Sequence, residues 1–399
     1  ISGHRAQGLG GAVSPLLTDL VLTPAEAVRR HAGYNETSYN AFVHGVAERR
    51  GEALRWRTVD AGSLNLVFGE GAGRSGTPAA TFLGLSRFGA GSSDGLGGTL
   101  SVNLRVSNGA TLEIASEGAD AASGRGATVS DTTLNAFRPV TMLIGGTLRR
   151  DATTYALEGG AQHIVVRNGV NLTAQEVLLS AAFGGRGILV EQGVSIDTLS
   201  QSGPSSVAQP TAPYLVAGGL LAVSNQRLTA LSAQGGSAGG PVAIDIGGCE
   251  ADCSGQTRLL SAGSINVVTD GALNMGDSLS YGTRQLGLGM SALNLGSTEA
   301  IAMASAAGGL PTGMTMNQEV LQRLLRGNTA IGAPALEALS LTARDAINVF
   351  GSVDLDTRDG ATGRSSLRNL VLGAPAIHGY AAATDRARIF ADTLVWDGT

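Results

Sequence analysis

One short segment, DLDTRDG, brings together side chains that could act on a sugar chain. It contains Asp354, Asp356, Arg358 and Asp359. Hydrolysis of a glycosidic bond uses two carboxyl groups, one to protonate the leaving oxygen and one to activate water or attack the sugar. Polysaccharide lyases need a local cluster of carboxylates together with Arg or Lys. A solvated turn between strands has the same composition, and we favour that interpretation.

Two other patterns could hold a ligand, but each lacks a required feature. The segment GEGAGRSGT, residues 69–77, is glycine-rich like a phosphate-binding loop, but it has no Gly-Lys step and the chain has no Lys. Five histidines without the spacing of metal ligands are scattered along the chain: His4, His31, His44, His163 and His378. We therefore predict no catalytic residue, no metal ligand and no cofactor, and we expect that the protein is not an enzyme.

The composition favours thin stacked layers over one compact core. The chain has 399 residues and 59 glycines, but only 4% of its residues are aromatic, and large cores usually depend on aromatic burial. The net charge is −5 and no run of basic residues is longer than two, so we expect no nucleic acid partner. No apolar stretch approaches about 18 residues, so the sequence predicts no membrane-spanning helix.

The two cysteines lie close together in the segment GGCEADCSG. A loop can bring Cys249 and Cys253 within bonding distance, and the chain has no further Cys that could complete a Cys-rich metal site. A disulfide between them is therefore favoured over two free thiols. If the bond forms, it indicates an oxidising compartment outside the cytoplasm.

A repeated phrase of eleven residues predicts the elements that position these side chains. IVVRNGVNLTA occupies residues 164–174, and ILVEQGVSIDT follows 24 residues later at 188–198. Apolar residues occupy the first, third, seventh and ninth positions of both copies, and such alternation is typical of strands. A Gly at the sixth position allows a sharp turn. Looser copies are LRVSNGATLEI (104–114), INVVTDGALNM (265–275) and INVFGSVDL (347–355).

The alternation predicts which side chains point into the core. The residues expected to point inward are Val166, Val170, Leu172, Val190, Val194 and Ile196. Those expected to point outward are Arg167, Asn171, Glu191 and Ser195. A period of roughly 20–25 residues fits a solenoid, in which each rung contributes two or three strands that pair in parallel with the next rung.

The chain is expected to have two parts. Residues 1–63 form a partly helical segment that packs on or caps the solenoid, with an N-cap at Thr23 and with Phe42 and Leu54 among its buried residues. Residues 64–399 form the β region, interrupted by one helix at about 317–327. The fold class is therefore all-β, a parallel β-helix with a short helical N-terminal segment and one inserted helix.

Two longer stretches resemble a known family. VTMLIGGTLRRDATTYALEGGAQHIVVRNGVNLTAQEVLLSAAFGGRGILVEQGVSI resembles the conserved region of filamentous-haemagglutinin-like exoproteins, which are large secreted adhesins of Gram-negative bacteria. LQRLLRGNTAIGAPALEALSLTARDAINVFGSVDLDT resembles the same region, where a short helix precedes an L-x-L-x-A-x-x-x-I-N strand. The resemblance covers roughly residues 90–399, and it implies a fragment from the internal or C-terminal part of such a protein.

The resemblance implies a right-handed β-helix and export by two-partner secretion through an outer-membrane partner. The expected function is that of a structural and adhesive segment of a secreted cell-surface filament, in attachment or biofilm formation. Its partners would be a host or bacterial surface receptor or an extracellular polysaccharide. The alternative is a carbohydrate-active β-helix, a polysaccharide lyase or hydrolase. Because ARIFADTLVWDGT still alternates at its last residues, we also expect end-to-end self-association.

Overall fold

The computed structural model divides the chain into two compact units, residues 1–58 and 59–399. It describes residues 2–4, 17–19, 39–54, 59–74, 78–91, 95–105, 109–119, 125–150, 154–201, 213–232, 240–250, 252–329, 332–358, 363–380 and 382–398.

The described residues of the first unit form two short strands and one helix. Strands β1 (Ser2–His4) and β2 (Leu17–Asp19) pair antiparallel, and helix α1 spans Tyr39–Arg50. The prediction of buried residues is wrong for Phe42 and Leu54, which are 53% and 47% exposed. Helical spacing identifies an apolar stripe, but burial also needs an element that covers the stripe. The helix start expected at Thr23 lies outside the described residues.

The second unit is mostly β. Its strands are β3 (Ser63–Phe68), β4 (Thr99–Leu104), β5 (Thr111–Ala115), β6 (Gly126–Ser130), β7 (Thr141–Ile144), β8 (Gly146–Arg150), β9 (Tyr155–Gly159), β10 (His163–Val166), β11 (Asn171–Thr173), β12 (Glu176–Ala181), β13 (Gly187–Glu191), β14 (Ser195–Asp197), β15 (Tyr214–Ala217), β16 (Gly219–Ser224), β17 (Ala230–Ser232), β18 (Ile244–Gly248), β19 (Thr257–Leu260), β20 (Ser264–Val268), β21 (Leu273–Met275), β22 (Leu279–Gly282), β23 (Gln285–Gly296), β24 (Met314–Asn317), β25 (Ala338–Phe350), β26 (Val353–Asp356), β27 (Asn369–Gly373), β28 (Ile377–Tyr380), β29 (Ala387–Phe390) and β30 (Thr393–Asp397).

Most of these strands stack into three ladders. The first ladder runs β3, β4, β7, β12, β16, β20, β23, β25, β27, β30. The second runs β6, β5, β10, β13, β18, β21, β24 and continues through the later halves of β23 and β25 to β28. The third runs β11, β14, β19, β22, and β26 pairs with β29.

Each ladder stacks apolar residues in register. In the first ladder one unbroken column consists of Leu66, Val102, Ile144, Leu179, Leu221, Val267, Leu288, Leu341, Leu372 and Trp396. Between Val102 and Leu341 every member of that column is at most 1% exposed. The core is therefore a set of thin apolar layers, as the scarcity of aromatic residues predicts.

The two close copies of the repeated phrase stack directly on each other. Ile164 pairs with Ile188, and Leu172 pairs with Ile196. All six residues predicted to point inward are buried, at 1% exposure or less, so that prediction is confirmed. Of the outward set, Asn171 is exposed and Arg167 and Ser195 are half-buried, whereas Glu191 is buried.

A looser copy stacks in a different register from the one that the phrase suggests. Sequence alignment of the phrases places Leu104 over Ile164, but the residue that pairs with Ile164 is Leu112. Each phrase contains two alternating halves, and either half fits the same apolar layer. The spacing between paired residues also varies, from the 24 residues between Ile164 and Ile188 to the longer interval between Ile188 and Ile244.

One strand of the first ladder runs against its neighbours, which the repeat does not predict. Strand β16 is antiparallel to both β12 and β20. It follows β15 through Gly218, whose φ of +107° favours glycine and whose added Cβ would lie 2.1 Å from the Ala181 carbonyl oxygen. A similar turn at Gly145 joins β7 to β8. The turn at Gly145 leads the chain out of the ladder into a side sheet of β8, β9, β15 and β17, and the turn at Gly218 returns it to the ladder.

The side sheet covers part of the first ladder with a second small core. Tyr155 and Tyr214 stack there with their ring centroids 5.1 Å apart. Beneath them Glu176 is 1% exposed and accepts hydrogen bonds from the Tyr214 hydroxyl at 3.1 Å and the Ser224 hydroxyl at 2.9 Å. A buried carboxylate needs such donors, so these hydroxyls help to fix the side sheet against the ladder.

Among the described residues of this unit, three α-helices interrupt the strands, where one helix was predicted. The predicted helix is present as α4 (Gln318–Arg326), with Leu321 and Leu324 buried and Asn317 as its N-cap. The two others are α2 (Asp131–Ala136), capped by Ser130, and α3 (Thr298–Ala306), capped by Ser297. Both begin after a serine N-cap, but each is too short for a helical period to be recognised in the sequence. In the described part of the chain, every helix is too short or too polar to cross a bilayer.

Candidate binding face

The outward positions of the second ladder hold several of the buried polar groups of the unit. Thr128, Glu113, Val165, Leu189 and Asp245 follow one another in register across five strands. We define the outer face as the side chains at or beside this row that hydrogen-bond or form ion pairs: Thr111, Glu113, Thr128, His163, Arg167, Arg186, Glu191 and Glu250.

Glu113 is the centre of a charged cluster on the outer face. It is 1% exposed, and the Thr128 hydroxyl donates a hydrogen bond to its Oε2. Arg167 Nη1 lies 3.3 Å from Oε1, and Arg74 Nη2 lies 3.9 Å from Oε2. Two guanidinium groups and a hydroxyl therefore surround one carboxylate, which offsets the free-energy cost of burying its charge.

His163 lies on β10, two residues before Val165, which pairs with Glu113. It is also buried, at 4% exposure. Its Nδ1 is 3.0 Å from the Thr111 hydroxyl. The pKa of His163 is lowered to about 4, mainly because the ring is buried and partly because the charge of Arg186 lies nearby. The ring is therefore neutral at pH 7 and holds its hydrogen bond without acting as an acid.

The loop that carries the two cysteines closes one edge of the outer face. The structure joins Cys249 to Cys253 with their Cα atoms 5.8 Å apart. In this loop Glu250 forms an ion pair with Arg186 at 2.6 Å, and its backbone N–H donates to Glu191 Oε1 at 3.4 Å. Glu191 thus lies on the outer face as predicted, but the loop buries it to 5% exposure.

The acidic segment DLDTRDG forms a surface ion pair. Arg358 bonds to both carboxylate oxygens of Asp356 and stacks over the Phe390 ring, 4.8 Å from its centroid. This hydrogen bonding lowers the pKa of Asp356 to about 2, so its carboxyl group stays ionised at neutral pH and is not a proton donor. Asp354 bonds to Gln318 through its backbone, and Asp359 lies outside the described residues.

The glycine-rich segment near residue 70 packs against a strand. The Gly71 N–H donates to the Gly126 carbonyl at 2.7 Å, and a Cβ at Gly73 would lie 1.9 Å from the Thr128 carbonyl oxygen. The Gly71 N–H therefore bonds to the ladder, and the Ala72 and Arg74 N–H groups bond to carbonyls of the segment itself, so none of these three donors is free for a phosphate group. From the end of this segment Arg74 reaches Glu113. Residues 75–77 lie outside the described residues.

The histidines whose side chains are described, His44, His163 and His378, do not assemble into a site. His44 lies on α1, 3.5 Å from Glu48, and His378 is exposed on β28. The side chain of His4 and the whole of His31 lie outside the described residues. Among the residues that are described, no three His, Cys, Asp or Glu side chains are grouped so that they could hold a metal ion.

The Glu113 cluster is the main polar feature that the sequence did not predict. Glu113 and Arg167 are both visible as outward positions of the repeated phrase, but the phrase alignment places them far apart in register. Glu113 on β5 pairs with Val165 on the neighbouring strand β10, and Arg167 follows Val165 by two residues, so its side chain lies beside Glu113. The sequence therefore did not predict this cluster because it did not give the correct strand register. Glu113, His163 and Glu191 are at most 5% exposed, so they hold the strands and the cysteine loop together, whereas Arg186 and Glu250 are the more exposed members of the outer face.

Comparison of the chain with protein-family models, with curated protein sequences and with solved structures found no match.

Proposed function

We propose that residues 59–399 form a right-handed parallel β-helix that serves as a structural and adhesive segment of a secreted filamentous-haemagglutinin-like exoprotein. The observation that carries this proposal is the in-register stacking of apolar residues across three ladders, as between Ile164 and Ile188. Stacked layers of this kind give a stiff scaffold whose outward positions remain free to vary. The antiparallel strand β16 and the side sheet would be local insertions in that scaffold.

The mechanism of attachment would be multivalent. Polar side chains outside the ladders present many weak contacts, and linked weak contacts raise the overall affinity without one dominant site. The partners we propose are a host or bacterial surface receptor or an extracellular polysaccharide. Export would proceed through an outer-membrane secretion partner to the bacterial surface.

The pairing of Cys249 with Cys253 supports an exported setting, because disulfides persist in oxidising compartments. Alkylation of the folded protein, followed by mass measurement with and without reduction, tests this point. We expect no label before reduction and two labels after it. Complete labelling of the protein recovered from the cell exterior would contradict the proposed setting.

Attachment can be measured directly with the purified chain. Beads coated with the folded protein are expected to attach to bacterial or host cell surfaces or to arrayed polysaccharides, whereas beads coated with urea-unfolded protein are not. Equal attachment by folded and unfolded protein would indicate non-specific adsorption and would contradict the proposal.

The second candidate is a carbohydrate-active β-helix, which the grouping of Asp356, Arg358 and Phe390 favours. The ionised state of Asp356 argues against a role as general acid. Incubation with acidic and neutral polysaccharides decides between the candidates, by measurement of new reducing ends and of ultraviolet absorbance from unsaturated sugars. Product that is lost in Asp356→Asn would support the enzyme and displace the adhesive function.

A further inference from the structure

Arg138 has a backbone conformation that is unusual for its residue type. Its φ is +48°, and among the described residues it alone combines a positive φ with a side chain. It follows Phe137, the C-cap of α2, and its N–H donates to the Asn135 carbonyl at 3.0 Å. Glycine is the residue that normally fills this position after a helix, since it adopts a positive φ without strain.

A residue that keeps an unfavourable backbone conformation often does so because its side chain has a function. The Arg138 side chain is exposed, and within the described part of the chain it forms no hydrogen bond or ion pair. Its guanidinium therefore does not stabilise the fold through a polar contact, and the strain needs another explanation.

Arg138 lines a polar cavity of about 350 Å³ together with Asn135, Thr173 and Gln201. This volume is within the range of small-molecule sites and exceeds what a single inorganic anion needs. Among the lining residues that the structure describes, Arg138 is the one with a charged side chain, and none of them carries a carboxylate. The cavity is thus matched to a ligand that carries negative charge and several hydroxyl groups.

Part of the cavity wall is held rigidly. The Asn135 side-chain amide donates to the Asn171 carbonyl at 2.7 Å and accepts from the Thr173 N–H at 3.0 Å. The Thr173 hydroxyl also donates to Asn135 Oδ1 at 3.3 Å. Like Arg138, Gln201 has no side-chain partner among the described residues. Two fixed groups and two unengaged donors therefore face the same space.

We propose that this cavity binds a uronic acid residue of an acidic polysaccharide. The Arg138 guanidinium pairs with the carboxylate, for which its planar fork is suited. Gln201 and Thr173 hydrogen-bond the sugar hydroxyls. The proposal rests on the proposed adhesive function, because it names the class of polysaccharide that one site on the protein recognises.

The backbone strain at Arg138 makes a sharp test possible. Arg138→Gly removes the charge and also relieves the strain, so the folded protein is expected to melt at the same temperature or higher. In isothermal titration the wild-type chain is expected to bind trigalacturonate and not the neutral maltotriose. Binding is expected to weaken at least tenfold in Arg138→Gly and to be retained in part by Arg138→Lys.

Arg258→Ala is the matched control. It removes an exposed cation from β19, in the same ladder as Asn171 but away from the cavity, and it should leave trigalacturonate binding unchanged. No binding by the wild type, equal binding by Arg138→Gly, or equal binding of maltotriose would overturn the proposal. Inorganic sulfate is titrated alone as a further probe. If it binds as tightly as trigalacturonate, the cavity is a simple anion site and the assignment to a saccharide is wrong.

The bead attachment assay separates this inference from the proposed function. If wild-type beads attach to cell surfaces or polysaccharides but the protein does not bind trigalacturonate, the inference fails and the adhesive function stands. If they attach to nothing, the adhesive function fails whatever the titration shows.

Discussion

The second ladder begins and ends with strands of the same alternating type, but only its beginning is covered. In β6 at the start, Ala127 and Val129 are completely buried. In β28 at the end, Ile377 stacks in register on Ile347 and yet is 42% exposed. The first ladder ends similarly, with Trp396 61% exposed above the buried Leu372.

Segments that are not strands provide the cover at the start. Phe82 and Phe88, from residues 78–91, pack against the core, and Phe82 stacks on Phe137 with ring centroids 4.2 Å apart. Helix α2 also protects the free edge of β11 in the third ladder. Asp131 accepts a hydrogen bond from the Asn171 N–H, and Asn135 takes the place of a neighbouring strand.

The comparison shows that strand alternation and burial are separate properties. Stacking supplies apolar contact along the ladder, but each terminal layer also needs apolar cover and partners for its backbone N–H and C=O groups. Aromatic side chains and one short helix meet both needs at the start. Among the described residues, nothing comparable covers β28, β29 and β30.

The largest effect should come from a charge placed in an interior layer. Val190→Asp buries an unpaired carboxylate at a position with 0% exposure, and we expect a loss of at least about 4 kcal/mol in the free energy of unfolding. Leu394→Asp makes a similar change in the last strand, where Leu394 is 51% exposed, and it should cost about 1 kcal/mol or less. Urea denaturation measures both. Equal losses would show that the last layer is as well covered as the interior.

The second largest effect should be on association. The exposed apolar layer and free strand edges of β28 to β30 are expected to join molecules end to end, so scattered-light mass should rise with protein concentration. The double variant Leu394→Asp/Trp396→Asp should remain monomeric. The control is Leu85→Asp, which changes a 98% exposed leucine in residues 78–91 and should still associate. A wild-type protein that stays monomeric at high concentration would contradict association through β28 to β30.

A smaller effect is expected where α2 protects β11. Asn135→Ala leaves the Thr173 N–H and the Asn171 carbonyl without their side-chain partner, which should cost about 1 kcal/mol because water replaces part of the lost bonding. Asn135→Asp keeps the acceptor for Thr173 and should recover part of that loss. Thermal melting measures the series. An unchanged Asn135→Ala would show that the edge of β11 needs no cap.

Acidification should lower the stability in two stages, first through a group in the interior and later through one near the end. His163 has a folded pKa of about 4 and an ordinary value of 6.5, so the unfolded state binds more protons between these values. Stability should therefore fall as the pH drops from about 6.5 to about 4. Asp356, with its pKa lowered to about 2, should contribute a further, slight loss between about pH 4 and 2.

Two variants separate these contributions in urea titrations at a series of pH values. His163→Gln should flatten the decline between pH 6.5 and 4, and Asp356→Asn should change the decline only below about pH 4. A decline of the same steepness in His163→Gln and the wild type would show that this histidine is not responsible.

Much of the fold could be predicted because side-chain alternation is local. The alternation of Val166, Val170 and Leu172 correctly predicted burial, and the close copy at 188–198 correctly predicted direct stacking. The spacing of Leu321 and Leu324 predicted α4 for the same reason, since a helical period can be recognised within one segment. The nearness of Cys249 and Cys253 likewise needed only a short loop.

Only the tertiary structure decided register, direction and cover. Leu104 and Leu112 lie in the same alternating pattern, but Leu112 is the residue that stacks on Ile164. Both halves of the phrase fit one layer, so contacts between distant residues select between them. The turn at Gly218 reverses β16, and the partners of Glu113 follow from strand pairing. Exposure of Phe42 and burial of Glu191 both depend on which other segment lies nearby. By itself, therefore, the sequence determined which residues alternate, whereas contacts between residues far apart in the chain determined what each of them faces.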